Sequence, residues 1–227
     1  MSVYAGPEIV NDGLVLCLDA GNSRSYPGSG TAWTDLSGNG NTGTLTNGPT
    51  YNSSNLGFFQ FVTNNFAAIP NNVALDTQTP TVEVWVKTNA TTQNGFWFEK
   101  GTVNSQYSLF QAGGNILWRM RIGGSIQNLT TTTATYMNTS NWYQVVGTYT
   151  SGTRRLYING VLVNFDTQTG TIETNSGGMS IGVYGGFNGS RGYYYNGNLS
   201  SCKVYNRALT AEEIQQNFNA TRGRYGI

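Results

Sequence analysis

The chain has 227 residues, enough for one large β domain, and only 10% of them are Asp, Glu, Lys or Arg, against about a quarter in ordinary globular proteins. Lys and Arg total 12 against 11 acids, for a formal charge of +1, which excludes the basic stripe that a nucleic-acid binder needs to displace counterions. Histidine is absent, so the commonest general base and most zinc sites are excluded as well.

In chain order, the predicted strands are Leu14–Asp19, Gly57–Val62, Phe66–Ile69, Thr81–Lys87, Phe96–Lys100, Tyr107–Ala112 and Ile116–Ile122, followed by Trp142–Tyr149, Arg154–Ile158, Val161–Phe165, Met179–Tyr184 and Leu199–Tyr205. Gly, Asn, Thr and Ser clusters separate them, the pattern of an all-β sandwich or barrel rather than a βαβ fold. Asn159-Gly160 accepts positive φ at both central positions of a type I′ turn. That turn would pair Ile158 with Val161, Tyr157 with Leu162 and Leu156 with Val163. Both faces of this hairpin are apolar, so it is expected to be covered on both sides. One helix follows Thr210, whose T-A-E-E start places Glu213 for a capping box. Ile214 and Phe218 form its apolar stripe, and it is expected to end near Ala220 and to cover an edge or end of the sandwich.

No apolar run approaches the ~20 residues of a membrane helix. Met1–Val10 has neither a basic n-region nor an apolar h-region, so no secretory leader is expected. Residues 1–13 are read as an N-terminal docking segment, 14–219 as the domain and 220–227 as a C-terminal tail. The first dozen residues and Arg222–Ile227 are candidate docking segments, because termini stay ordered only when something ties them down.

Five segments, in order, resemble the laminin-G-like, concanavalin A-like lectin/glucanase jelly-roll family. They are LVLCLDAGNS (Leu14–Ser23), WTDLSGNGNTGTL (Trp33–Leu45), TVEVWVKT with FEKG (Thr81–Thr88, Phe98–Gly101), WYQVVGTYTSGTRRLYINGVLV (Trp142–Val163) and KVYNRALTAEEIQQNFN (Lys203–Asn219). The resemblance implies a two-sheet jelly roll with one short C-terminal helix. Trp33, Trp85 and Trp142 are read as buried anchors rather than sugar platforms. A jelly roll sets its first and last strands side by side, which could bring Cys17 and Cys202 near each other, but the favoured reading is two free, buried thiols.

The family's hydrolases carry a Glu-x-Asp-x-x-Glu cluster on one strand, whereas Glu83 in TVEVWVK stands alone. With neither paired acids nor His, catalysis is not expected. Calcium is the metal the resemblance implies, taken by hard oxygen ligands. Asp35, Asn39 and Asn41 are the candidate ligands, although Ser200 and Ser201 stand where relatives tend to carry Asp. The competing reading is that these residues shape a tight loop by Asx-turn hydrogen bonds. For a binding surface, Tyr193, Tyr194 and Tyr195 with Asn188 and Arg191 are the candidates, serving a glycan or a protein partner.

Two functions fit. The first is a structural or adhesive virion protein, a capsid decoration or a tail or head fibre component, because the opening Gly13–Asp19 and the ending Ala208–Asn219 resemble tailed-phage virion proteins. It would lie on the virion surface, contact capsid or tail proteins and surface glycans, and allow homo-oligomers. The second is a secreted or cell-surface carbohydrate-binding module.

Overall fold

The computed structural model describes residues 7–102, 106–150, 152–185 and 191–227. The first sheet runs, in spatial order, β4 (Thr50–Asn52), β5 (Phe58–Phe61), β16 (Gly197–Tyr205), β7 (Thr81–Thr88), β12 (Tyr143–Thr150), β13 (Gly152–Ile158) and β14 (Val161–Gln168). Its remaining strand, β1 (Leu14–Asp19), also pairs with β16. The second sheet runs β2 (Ala32–Trp33), β3 (Gly43–Thr46), β6 (Phe66–Ile69), β15 (Met179–Ile181), β8 (Gly95–Lys100), β9 (Tyr107–Ala112), β10 (Asn115–Ile122) and β11 (Ser125–Thr132). The ladders are antiparallel, and the two sheets face each other across one apolar core that includes Trp33, Phe59, Val84, Trp97 and Trp118. This is the all-β, two-sheet jelly-roll sandwich that the family resemblance implied.

Period-two alternation decides which side chains enter that core. On β10, Ile116, Trp118, Met120 and Ile122 are buried, while Leu117, Arg119 and Arg121 lie on the opposite face. Trp118 covers Gly147 of β12 and donates its indole N–H to the Thr148 carbonyl at 3.0 Å. A Cβ at position 147 would stand 2.5 Å from the Trp118 ring. Gly147→Val is therefore expected to cost about 1–3 kcal/mol through overpacking, read as a lowered midpoint in chemical denaturation.

Asn159 and Gly160 both have positive φ, 51° and 78°, as the type I′ turn requires. The pairs Ile158–Val161 and Tyr157–Leu162 form as predicted, but a bulge then pairs Leu156 with Asn164 instead of Val163. The expectation that both sides of the hairpin are covered fails for β14. It is an edge strand, with Val161 62% and Phe165 63% exposed, whereas Leu156, Tyr157 and Ile158 of β13 are buried.

After the one-turn helix α1 (Thr133–Tyr136), helix α2 (Ala211–Thr221) begins with the predicted capping box, Thr210 and Glu213 exchanging hydrogen bonds. It covers the outer face of the first sheet rather than an edge or end. Ile214 joins Val146, Tyr157 and Tyr205 in a second apolar cluster, and Phe218 stacks on Trp85. The following 3-10 turn, Arg222–Tyr225, lays Tyr225 on Trp85 with ring centroids 4.0 Å apart. The Arg224 guanidinium donates to Asp19 Oδ1, Gly57 O and Ser200 Oγ at 2.6 Å each, and to Asn55 O at 2.7 Å. The C-terminal tail is thus held by its own domain. Val10, near the other end, donates to Asn217 Oδ1 and accepts from Tyr205 Oη.

Cys17 and Cys202 are free and buried. Cys17 lies opposite Lys203 and Leu18 opposite Cys202, so the two thiols project from opposite faces of the sheet. Burial pushes the Cys17 pKa up to about 11 and raises that of Cys202 as well, which leaves both as unreactive thiols.

Candidate functional site

The predicted calcium loop is held together by its own donors. Asp35 Oδ1 accepts from the Cys17 and Ser37 amides at 2.8 and 2.9 Å. Its Oδ2 accepts from Ser37 Oγ and the Asn41 amide at 2.7 and 2.9 Å. The side-chain amide of Asn41 points its N–H at the Val15 carbonyl at 2.7 Å, and that of Asn39 donates to Leu14 O and Ser37 Oγ. These donor hydrogens occupy the carboxylate's lone pairs with the polarity a cation would oppose, so the residues do not fit calcium. They pin the loop to β1. At millimolar calcium, the midpoint of thermal unfolding is expected to stay unchanged; a rise of several degrees would restore the ion.

The tyrosine cluster divides. Tyr195 is fully buried, donates its hydroxyl to Lys87 O at 2.9 Å and sets its ring edge-on to Trp97. It is a core residue, not a surface for a partner. Tyr194 is half-buried, and Tyr193 is 59% exposed. Arg191 is exposed, with its guanidinium 4.6 Å above the Phe66 ring, so it lies over β6. Asn188 lies outside the described residues.

Tyr193 belongs to a cleft of about 510 Å³ on the outer face of the second sheet, lined also by Phe96, Phe110, Gln111, Arg119 and Tyr184. Its construction follows from strand register. A bulge on β8 lets both Trp97 and Phe98 enter the core while Phe96 turns outward. Phe96 is opposite Phe110 on β9, and their rings stack at 4.1 Å. Leu117 is opposite Phe110, so Arg119 sits diagonally across from that ring, with its guanidinium carbon 4.4 Å from the centroid. Asn128 of β11 is directly opposite Arg119 and accepts its Nε–H at 2.9 Å.

The far wall is formed by Tyr184 and Tyr193. Tyr184 and Gly192 exchange backbone hydrogen bonds of 3.1 and 3.2 Å. Tyr193 then takes a left-handed φ of 49°, and its carbonyl accepts from the Phe96 amide at 3.2 Å. Left-handed backbone is unusual for an aromatic residue, and here it breaks the strand alternation that would otherwise relate Tyr193 and Tyr195. The Tyr184 ring tilts against Phe96 at 5.0 Å and meets Tyr193 edge-on at 6.1 Å. Burial lowers the Arg119 pKa from its ordinary value, opposed by the nearby Tyr184 and Glu99.

Sequence reasoning found Tyr193 but missed Phe96, Phe110, Arg119 and Tyr184. Strict alternation in NILWRMRI already set Arg119 opposite the core-facing Trp118, and that signal went unused. The β8 bulge that aims Phe96 outward has no comparable signature.

Four of the acids are ion-paired away from the cleft. Glu83 pairs with Lys203, Asp76 with Lys100, Asp166 with Arg154 and Glu173 with Arg121. Among the described residues, no three of His, Cys, Asp or Glu come together in a metal-binding group.

Two facing antiparallel sheets with a helix at the C-terminal end define a jelly-roll sandwich. Residues 61–215 match the family model of the concanavalin A-like lectin/glucanases superfamily, and the chain belongs to that family. No curated protein matches it at the sequence level. Among solved structures, the binding domain of Paraclostridial Mosquitocidal Protein 1 is similar, with a TM-score of 0.71 at 19% identity over 92% of this chain and 52% of that one. The receptor binding domain of botulinum neurotoxin C/D mosaic serotype gives 0.71 at 18% identity, over 92% of this chain and 51% of that one. The botulinum neurotoxin DC binding domain, solved in complex with rat synaptotagmin II, gives 0.72 at 14%, over 93% and 52%. The chain spans about half the length of these structures, and at such identities the likeness concerns the fold.

Proposed function

We propose that the protein is a non-catalytic adhesive module that binds a saccharide in the cleft beside Tyr193. The observation that carries this reading is the cleft's mixed wall. An exposed tyrosine face stands next to a guanidinium, over a floor of stacked Phe96 and Phe110. A sugar presents an apolar C–H face and a rim of hydroxyls, and such a wall matches both. One of the similar structures is a neurotoxin receptor binding domain, another is a binding domain in complex with rat synaptotagmin II, and one botulinum DC binding domain was solved with SialylT. That supports attachment as the task of the fold. The pairing of Glu83, Asp76, Asp166 and Glu173 with cations supports the non-catalytic part.

On this reading, the module acts on the surface of a virus particle. The exposed Val161, Leu162 and Phe165 on edge strand β14 suit contact with a neighbouring capsid or tail protein or a second copy of the chain. A free extracellular carbohydrate-binding module would use the same cleft. Mass spectrometry of purified particles tests the setting: finding the chain at stoichiometric level supports it, and its absence removes it. A glycan array tests the cleft. The wild-type domain is expected to retain a defined set of saccharides, and Tyr193→Ala to weaken them at least ~10-fold, which is about 1.4 kcal/mol. An array on which nothing binds would remove the reading.

A further inference from the structure

We infer that the cleft selects saccharides bearing a carboxylate, and that Arg119 is the residue that reads the charge. This rests on the cleft being a saccharide site. Arg119 has its Nε committed to Asn128 and its guanidinium carbon 4.4 Å from the Phe110 ring centroid, so the guanidinium is held from two sides. Its two Nη groups make no hydrogen bond to a described residue, and no carboxylate among the described residues lies within ion-pair distance of it. The neighbouring Arg121, by contrast, is paired with Glu173 at 2.6 Å.

Arg119 is half-buried and lines the cleft. A ligand entering there expels the water that now solvates the Nη hydrogens. Leaving those hydrogens unpaired is costly, and a neutral hydroxyl satisfies them poorly. A carboxylate matches the planar fork with two parallel charge-assisted bonds. The charged and titratable groups that face Arg119 are Glu99 and Tyr184. The Glu99 Oε2 accepts the Gly185 amide at 2.5 Å, and Glu99 stands two strands from Arg119, with Ser108 between them in register. The open side belongs to the ligand, with Tyr193 placed to cover the sugar ring.

Titration calorimetry on the intact chain tests this with 3′-sialyllactose and tri-galacturonate as carboxylated probes, the sialyllactose methyl ester and lactose as neutral ones, and a sulfated lactose. At least one carboxylated saccharide is expected to bind ~10-fold or more tightly than its neutral counterpart, and more tightly than the sulfate. Arg119→Gln is expected to erase that preference, bringing acid and methyl ester to equal affinity, and Arg119→Lys to keep only part of it. The methyl-ester comparison needs no variant, so it decides the matter even if Arg119→Gln folds poorly. Equal binding of acid and ester overturns the selectivity while sparing the saccharide site, and sulfate binding as tightly as carboxylate overturns the choice of group. Failure of every saccharide overturns both.

Discussion

Lys203→Met is expected to destabilise the fold by about 3–5 kcal/mol, the range for removing one partner of a buried ion pair. Lys203 Nζ lies 2.6 Å from Glu83 Oε1, and both side chains are almost wholly excluded from solvent under helix α2. Burial disfavours the ammonium, but the charge and hydrogen bond of Glu83, with smaller contributions from Tyr205 and Cys17, together outweigh it and raise the Lys203 pKa above its ordinary value. Asn217 donates to Glu83 Oε2 and to Tyr205 Oη at 2.9 Å each, and Tyr205 in turn donates to the Val10 carbonyl. The pair is therefore the hub that joins the N-terminal segment, α2 and the first sheet. Removing the ammonium leaves a buried carboxylate with only an amide for company. Equilibrium denaturation should show the loss, with a fall in melting temperature of ~10 °C or more. The double variant Lys203→Met with Glu83→Leu should recover most of it, because the uncompensated charge disappears. A single variant within 1 kcal/mol of wild type would mean that water reaches the pair.

Deleting Arg222–Ile227 is expected to have a comparable effect. Tyr225 covers both Trp85 and Trp142, and burying such an aromatic side chain contributes about 1.5–3 kcal/mol. Arg224 adds charge-assisted bonds to Asp19 and to three neutral oxygens, each worth about 1.5–3 kcal/mol in a favourable setting. Without the segment, Trp85 and Trp142 meet water and Asp19 loses its cation. Tryptophan emission should shift to longer wavelength while the sheet signal persists, and stability should fall by about 4 kcal/mol or more on those same terms. Unchanged emission would show that the tail does not cover these rings in solution.

Much of this architecture was legible in the sequence, because the buried strands announce themselves. Leu14–Asp19, Phe66–Ile69 and Tyr107–Ala112 form as read, residue for residue. Strand β11 was missed: SIQNLTTT is polar and half-exposed at a sheet edge, so it carries no apolar alternation. The short β4 and β2 were missed because two or three residues show no period. The Asn-Gly turn was readable from local chemistry, but the bulge two residues beyond it was not. The site suffered most from this limit. Three consecutive tyrosines pointed to the right loop, yet the left-handed turn at Tyr193 decides which of them faces outward. The cleft's other walls come from three strands and depend on cross-strand register, which depends in turn on bulges set by the packed core.

The most direct measurement is an amide NMR titration of the isotope-labelled domain with a saccharide that it retains on the array. Shifts are expected to concentrate on the Phe96, Gln111, Arg119, Tyr184 and Tyr193 amides, with no loss of substrate signal over days. Shifts confined to the loop around Asp35 or to β14, or the appearance of cleaved sugar, would contradict the assignment of the cleft.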